Sequence, residues 1–326
     1  MAELNLVESI NAALGCEMAR DDSVLLLGED IGANGGVFRA TNGLQARFGR
    51  GRVIDTPLAE GGIAGVAVGM AAMGLKPVAE IQFTGFIYPT IDQMINHASR
   101  LRNRTRGRLT CPMVLRSPHG AGIHAPEHHS ESPEALFAHM PGLRVVIPSS
   151  PARAYGLLLA AIRDPDPVVF FEPTRLYRLF KQEVADNGES LPLDTCFLCR
   201  EGRDATIVAW GAMVPEAMRS AEALALDGLD VEVLDVATLK PFDIETILQS
   251  VEKTGRCVIV HEAPRTAGFG AEIAAEIAER ALYSLLAPIK RVTAYDVVVP
   301  LSRLEKQYVP SVERINDAVR GLMEGS

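Results

Sequence analysis

Three histidines and two glutamates fall within the eight residues from His124 to Glu131. The segment contains His-x-x-Glu-His, the inverted zinc-protease pattern, in which two histidines on one helix ligate a metal ion. Glycines at positions 120 and 122 precede it, and Pro126 lies inside it, where proline suits only the first turn of a helix. A helix that begins near Pro126 leaves His124 outside. We therefore favour the rim of an active site over a plain solvated loop, and keep a metal-dependent hydrolase that uses His124 and His128 as the alternative.

A second candidate is the carboxylate at the end of the segment Asp55-Thr-Pro-Leu-Ala-Glu60, just ahead of a helix rich in glycine and alanine. Taken alone, Glu60 is explained by the favourable interaction of a first-turn carboxylate with the helix dipole. The segment also stands at the mouth of the first predicted sheet, where ligands bind.

Five arginines alternate along the chain after a predicted helix, at positions 100, 102, 104, 106 and 108. On a strand this spacing would give a phosphate-binding stripe, but on a helix residues two apart diverge. No aromatic residues alternate with them, as they do in single-strand nucleic-acid sites. We expect a helix end and loop that face an acidic surface of a partner protein, and no nucleic acid.

Two further motifs are weaker. Cys196-Phe-Leu-Cys199 lacks the second pair that a zinc site needs, so we interpret it as the start of a strand. Gly268-Phe-Gly270 lacks the third small residue of a dinucleotide fingerprint, because position 273 is isoleucine. This excludes a nicotinamide site of that type.

Composition indicates an ordinary globular protein. Of 326 residues, 48% are apolar and 22% charged, which excludes disordered, collagen-like and coiled-coil classes. The net charge of −9 argues against a surface that grips nucleic acid or anionic lipid. No apolar run approaches the length of a membrane helix, and residues 1–10 contain no Lys or Arg, so no signal peptide is expected. Five scattered cysteines suggest a reducing, cytoplasmic location.

Helical and strand-like patterns alternate along the whole chain. We predict an α/β protein with two doubly wound domains and a boundary near residue 190. The predicted helices are Leu6–Met18, Ile63–Met73, Ile91–Leu101, Ala152–Ile162, Pro215–Leu226, Ala271–Leu282 and Val312–Met323. The predicted strands are Val24–Leu27, Pro77–Phe83, Met113–Leu115, Val145–Ile147, Val168–Phe171, Ala205–Ala209, Val231–Val236, Cys257–Val260 and Arg291–Ala294.

Several motifs recur in the order of a known family. They are Gly28-Glu-Asp-Ile-Gly, Gly35-Gly-Val-Phe-Arg-Ala-Thr, Asp55-Thr-Pro-Leu-Ala-Glu60, Glu80-Ile-Gln-Phe, His129-Ser-Glu-Ser-Pro-Glu, Phe171-Glu-Pro, Tyr177-Arg, Val251-Glu-Lys-Thr-Gly-Arg and Val260-His-Glu-Ala. Together they resemble the beta subunits of the thiamine-dependent 2-oxoacid dehydrogenases. The resemblance implies a pyrimidine-binding domain over 1–185, a linker over 186–203 and a transketolase C-terminal-like domain over 204–326.

The resemblance also implies roles for single residues. Glu60 matches the glutamate that activates thiamine diphosphate by sharing a proton with the pyrimidine ring, a role for which burial would raise its pKa. Phe86 matches the aromatic residue that packs on the pyrimidine, with Leu58 beside it. His129 matches the histidine that meets the substrate and the incoming lipoyl group, where it supplies a proton or stabilises charge. His128 has no counterpart with an assigned role.

A potassium site is implied as well. The segment Ala161-Ile-Arg-Asp-Pro-Asp166-Pro resembles the family's K+ loop, where asparagine is common at the position of Asp166. The implied ligands, partly backbone carbonyls, are Met113, Ala161, Ile162, Asp164 and Asp166.

One motif is missing from the chain. Thiamine enzymes hold the diphosphate through Mg2+ with a Gly-Asp-Gly sequence, which this chain does not contain. The resemblance therefore implies an alpha subunit that holds Mg2+ and the diphosphate, in a tetramer of two alpha and two beta chains. It also implies binding to the lipoyl and subunit-binding domains of a dihydrolipoyl acyltransferase.

The expected reaction is decarboxylation of a 2-oxoacid and reductive acylation of a lipoyl group. The segments that begin at Asn34 and His124 look closest to pyruvate enzymes, while branched-chain oxoacid and acetoin enzymes stay open. The metal-dependent hydrolase and a catalytically silent scaffold are the alternatives from other classes.

Overall fold

The computed structural model describes residues 2–324, and these fold as an α/β protein in two compact units. The first unit runs to His119 and resumes over Leu136–Leu193. The second holds Gly120–Ala135 and the chain from Asp194 onward. A contiguous division of the chain does not predict that the short segment 120–135 belongs to the second unit. The domain limits given above stay a prediction.

The strands up to residue 184 are β1 Ala2–Leu4, β2 Val24–Gly28, β3 Val53–Asp55, β4 Lys76–Glu80, β5 Val114–His119, β6 Arg144–Val146, β7 Val168–Pro173 and β8 Gln182–Val184. The helices are α1 Leu6–Arg20, α2 Leu44–Phe48, α3 Glu60–Ala72, α4 Ile91–Asn96, α5 Leu101–Arg104, α6 Glu134–Ala138 and α7 Pro151–Arg163.

Beyond residue 184 the strands are β9 Phe197–Arg200, β10 Ala205–Ala209, β11 Val231–Asp235, β12 Thr238–Lys240, β13 Cys257–Pro264 and β14 Lys290–Ala294. The helices are α8 Met213–Leu226, α9 Ile244–Thr254, α10 Gly270–Arg280, α11 Ser302–Tyr308 and α12 Val312–Met323.

Parallel pairing dominates both units. Strands of the first unit pair in the order β6-β7-β5-β4-β2-β3, all parallel. The second has β14-β13-β10-β11-β9, where only β9 is antiparallel. All five residues of β2 are buried, as a parallel strand covered on both faces requires. The predicted fold class is confirmed.

The sheet of the first unit has a topological switch point between β2 and β4. From β2 the chain passes to β3 on one side, and from β4 it passes to β5 on the other. Open α/β sheets bind ligands outside the carboxyl ends of strands at such a point. The segments that follow β2, β3 and β4 begin at Glu29, Thr56 and Ile81.

Several predicted elements have other limits. The helix predicted over 91–101 is interrupted after Asn96, where the Ser99 hydroxyl donates to the Ile95 carbonyl at 2.8 Å and competes with the helical bonds. The predicted strand 77–83 ends at Glu80, after which the chain turns. The predicted linker, 186–203, contains β9. Helix α9 was missed, although Asp243 caps its first turn and Gly255 ends it at positive φ.

Candidate active site

Glu60 is the first residue of α3, directly after the loop that follows β3. The loop is tied to the segment after β2, because the Asp55 carboxylate accepts the Gly32 N–H at 2.6 Å. Glu60 is half-buried, whereas the expectation from the family resemblance was a buried carboxylate, and Leu58 is 67% exposed. The chain by itself therefore leaves one side of this carboxylate open.

Glu60 has acidic neighbours at the switch point. The pKa of Glu29 is raised, first by burial and then by the negative charges of Asp30 and Glu60. Glu29 therefore holds a proton more readily than an isolated glutamate does, and it does so beside Glu60.

Phe86 lies on the short turn after β4. The turn is fixed by the Thr84 hydroxyl, which donates to the Pro118 carbonyl at 2.5 Å, and by the Phe86 N–H, which donates to the Phe83 carbonyl at 3.0 Å. The rings of Phe86 and Phe83 meet edge to face, with centroids 6.0 Å apart. Phe86 is half-buried, and both contacts described join it to Phe83.

Helix α3 and the turn that carries Phe86 are held close together. A Cβ built on Gly61 would lie 3.2 Å from the Pro89 carbonyl oxygen, so only glycine allows this approach without displacement. Glu60 precedes this contact and Phe86 lies three residues before Pro89. The structure thus brings Glu60 and Phe86, two of the predicted site residues, to one end of the same sheet.

A buried ion network, whose residues have no role among the sequence predictions, joins Arg116 to two glutamates. The Arg116 guanidinium contacts Glu80 on one side and Glu172 on the other, with Arg116 Nε 2.7 Å from a Glu172 oxygen. Tyr177 donates its hydroxyl to Glu172 at 2.6 Å. Burial raises the pKa of Glu80. Gly36 sits so close to Glu80 that a Cβ there would be 3.0 Å from its carboxylate, so the network supports the loop after β2. In the sequence, the family motifs that contain Glu80 and Glu172 are the only indication that these two glutamates matter.

His129 lies in the second unit, on a single turn over Glu127–His129. Its N–H donates to the Pro126 carbonyl at 2.9 Å, and its ring meets the His128 ring edge to face at 4.1 Å. Burial and the neighbouring His128 lower the pKa of His129 below its ordinary value of 6.5. The side chain of His128 is 46% exposed, and its Nδ1 lies 3.9 Å from the Glu127 carboxylate.

The geometry does not favour the zinc alternative. His124 has a backbone φ of +58°, outside any helix, and its Nδ1 lies 3.0 Å from the Glu305 carboxylate. Within residues 2–324, no group of three or more His, Cys, Asp or Glu side chains could hold a metal ion. The two histidines of the His-x-x-Glu-His pattern therefore do not share a helical face.

The predicted K+ loop is the carboxyl end of α7. Pro165 has no N–H to donate to the Ala161 carbonyl, and the Asp166 N–H donates instead to the Asp164 side chain at 2.8 Å. The carbonyls of Ala161 and Ile162 thus lose their usual helical donors. The Asp164 carboxylate pairs with Arg144 at 2.9 Å, and burial raises its pKa.

The side chain of Asp166 is occupied as well, because it pairs with Arg102 Nε at 2.7 Å. A cation at this loop would therefore rely on backbone carbonyls. Met113 is buried directly before β5, and its carbonyl accepts the Val168 N–H at 3.0 Å.

The five arginines and the cysteine pair lie in the kinds of element that were predicted for them. All five arginines are exposed, on the helix end and turn that were predicted. Their acidic partner protein stays a prediction. Cys199 lies within β9, which Cys196 directly precedes, and all five cysteines of the chain are free thiols.

Comparison with known proteins identifies the family. A model described as the transketolase pyrimidine-binding domain matches residues 2–179, and one for the transketolase C-terminal domain matches 196–315. The pyruvate dehydrogenase E1 component subunit beta of Bacillus subtilis is 48% identical over 324 residues, which is 99% of this chain and 100% of that protein. The protein of the same name from Acholeplasma laidlawii is 50% identical over 322 residues, 99% of this chain and 98% of the relative. The chain belongs to the family of pyruvate dehydrogenase E1 beta subunits.

A solved structure supports the same fold for this E1 beta family member. The split gene transketolase, described as an inactive beta4 tetramer, aligns with a TM-score of 0.82 at 22% identity over 99% of both chains. Among residues 2–324, no helix has the length and apolar character needed to cross a bilayer. The family resemblance inferred from the motifs is confirmed.

Proposed function

We propose that this chain, with an alpha subunit, decarboxylates pyruvate on thiamine diphosphate and transfers the acetyl group to a lipoyl group. The observation that carries the proposal is Glu60 at the switch point, at the start of α3 and close enough to Glu29 to raise its pKa. A glutamate side chain placed against a ring nitrogen can form a hydrogen bond through which a proton is shared.

The residues of the first unit fit the pyrimidine half of the cofactor. Glu60 offers a half-buried carboxylate, and Phe86 and Leu58 offer apolar surface. When bound, thiamine diphosphate supplies the nucleophilic carbon that adds to the 2-oxo group of the substrate. Glu60 would hold a proton at the pyrimidine ring nitrogen, and Phe86 and Leu58 would orient the ring and exclude water.

His129 would act in the transfer step. Opening the lipoyl disulfide leaves one sulfur as a thiolate, which needs a proton. An imidazolium whose pKa is lowered gives up its proton readily, so His129 is the proposed donor. His128 would adjust the pKa of His129 through its charge and by covering its ring.

The assembly around this chain follows from what the chain lacks. Without Gly-Asp-Gly it needs an alpha subunit to hold Mg2+ and the diphosphate, and we propose two chains of each kind. The lipoyl and subunit-binding domains of a dihydrolipoyl acyltransferase are the further proposed partners. K+ is proposed at the carboxyl end of α7, held through the carbonyls of Met113, Ala161, Ile162, Asp164 and Asp166. Five free thiols support a reducing, cytoplasmic location.

Co-expression with an alpha chain, followed by a panel of 2-oxoacids, tests the proposal. Decarboxylation is measured with an artificial electron acceptor, and reductive acylation is measured on a lipoyl domain. We expect the highest kcat/KM for pyruvate. A preference for branched-chain oxoacids or acetoin would assign the substrate differently, and the absence of decarboxylation in a correctly assembled enzyme would overturn the proposal.

A further inference from the structure

We propose that Glu305 is the positioning residue for the loop that carries His129, and that it acts on acyl transfer through that histidine. This inference rests on the proposed function of His129. Glu305 belongs to α11 in the second unit, together with the whole of the 120–131 loop.

The 120–131 loop is closed at its base. The Gly120 N–H donates to the Glu131 carbonyl at 3.0 Å, which makes a compact loop of the Ω type. Gly120 has a φ of +82° and lies against the Glu262 carboxylate, so a side chain would not fit there. His128 and His129 lie on the turn shortly before the loop closes.

Glu305, which is distant in sequence, binds the first half of this loop through hydrogen bonds to its backbone. One of its oxygens accepts the Gly122 N–H at 2.7 Å, and the other accepts the His124 N–H at 3.0 Å. The second oxygen also lies 3.0 Å from Nδ1 of His124. The Glu305 side chain is only 2% exposed, so these contacts are made away from water, where a carboxylate needs them most.

The contacts with Glu305 hold two residues of positive φ in place, and the conformation is uncommon for one of them, His124. Gly122 has a φ of +104° and His124 has one of +58°, a region that a histidine rarely adopts. Loss of the acceptor for these two N–H groups would therefore weaken this shape relative to an extended one. Glu305 therefore defines the path of the chain just before the turn that presents His129.

An apolar contact supports the same attachment. Ala121 is buried with Ala294, Val299, Tyr308 and Val309, the last two lying at the end of α11 and directly after it. Helix α11 thus holds the loop by one buried alanine and by one carboxylate. His128 and His129 belong to the part of the loop that Glu305 does not contact directly, so its effect on them is transmitted through the backbone.

The test uses the enzyme assembled with its alpha subunit and the variants Glu305→Ala and Glu305→Gln. Lys306→Ala, an exposed neighbour on α11, controls for changes to the helix. Glu232→Gln controls for the loss of a buried carboxylate elsewhere, because Glu232 accepts the Gly202 N–H and pairs with Lys253. Hydrogen exchange over residues 120–131, decarboxylation with an artificial acceptor and lipoyl acylation are measured for each.

Misplacing a reacting group by about 1 Å can cost about 100-fold in rate. We expect Glu305→Ala to speed amide hydrogen exchange at Gly122 and His124. We also expect it to slow lipoyl acylation by about 100-fold and to leave decarboxylation unchanged. Glu305→Gln, which keeps one acceptor oxygen and the shape of the side chain, should give a smaller loss and carries the test if the alanine variant does not fold. Equal losses in both reactions, or unchanged exchange, would overturn the inference.

A double variant separates this inference from the role of His129. If Glu305 acts through His129, then Glu305→Ala slows acylation no further once His129→Ala is present. Additive losses would contradict the inference while leaving His129 in its role. Normal acylation by His129→Ala alone would instead refute the proposed function, and the exchange experiment would still show whether Glu305 holds the loop.

Discussion

At the scale of single residues, Glu60 has two explanations that a substitution can separate. In Glu60→Gln the amide cannot share the proton, so we expect exchange of the thiazolium hydrogen of bound cofactor to slow by about 100- to 10,000-fold, with assembly retained. Glu272→Gln is the matched control, since Glu272 is an exposed first-turn glutamate on another helix rich in alanine. If Glu60 serves only the helix dipole, both variants lose about 0.3–1 kcal/mol of stability and neither changes exchange.

His129 and His128 are distinguished by pH. Because the pKa of His129 is lowered by burial and by His128, the protonated donor is lost as pH rises through that lowered value. In His128→Ala both causes weaken and the pKa of His129 rises. We expect the alkaline limb of the acylation rate to move to higher pH in this variant, while the profile of decarboxylation stays where it is.

His129→Ala completes this comparison. It should slow acylation by about 100- to 10,000-fold and affect decarboxylation with an artificial acceptor far less. If the two alanine variants behave alike in both reactions, or His128→Ala is the more damaging, His129 is not the donor.

At the scale of elements, the end of α7 makes its own prediction. If K+ is held by carbonyls, replacing Na+ with K+ at equal ionic strength should raise the Tm. At a K+ concentration 100 times the Kd for K+, the free energy of unfolding should rise by about 2.7 kcal/mol. Pro165→Ala restores an N–H donor for the Ala161 carbonyl and should reduce this gain. Asp166→Asn breaks the ion pair with Arg102 and keeps the carbonyl, so the gain should survive. Loss of the gain in Asp166→Asn alone would point to a carboxylate ligand.

At the scale of the whole molecule, the proposal gives this chain only the pyrimidine half of a cofactor site. Charge-assisted hydrogen bonds contribute about 1.5–3 kcal/mol each, so losing two to the diphosphate weakens binding at least about 100-fold. We expect the isolated chain to bind thiamine diphosphate weakly and to lack decarboxylase activity, and calorimetry and assay with and without the alpha subunit check this. Strong decarboxylation by the isolated chain would contradict it.

The exposed face of α3 agrees with this need for a partner. The helix is apolar on all sides, as buried helices are, yet Val66 is 53% exposed and Met73 beyond its end is 84% exposed. An alpha subunit covering this face would also close the open side of Glu60.

The sequence by itself determined the fold class and most elements, because apolar periodicity and capping residues act over a few neighbours. Helix α12 was predicted with its observed ends, since Ser311 caps it and its apolar residues keep one face. Glu60, Phe86 and His129 could be proposed as site residues from the family resemblance, and their roles stay predictions. The end of β4 and the break after Asn96 could not be predicted from apolar periodicity. They depend on hydrogen bonds made by side chains such as Thr84 and Ser99.

Tertiary structure alone decided what holds these residues. Glu305 is 183 residues from Gly122 along the chain, and Arg116 joins Glu80 to Glu172 across three strands. Only the folded chain brings such groups together, because strand order is set by the packing of whole elements and not by local sequence. A buried carboxylate must find donors wherever the fold supplies them, and here it finds them on the loop that leads to His129.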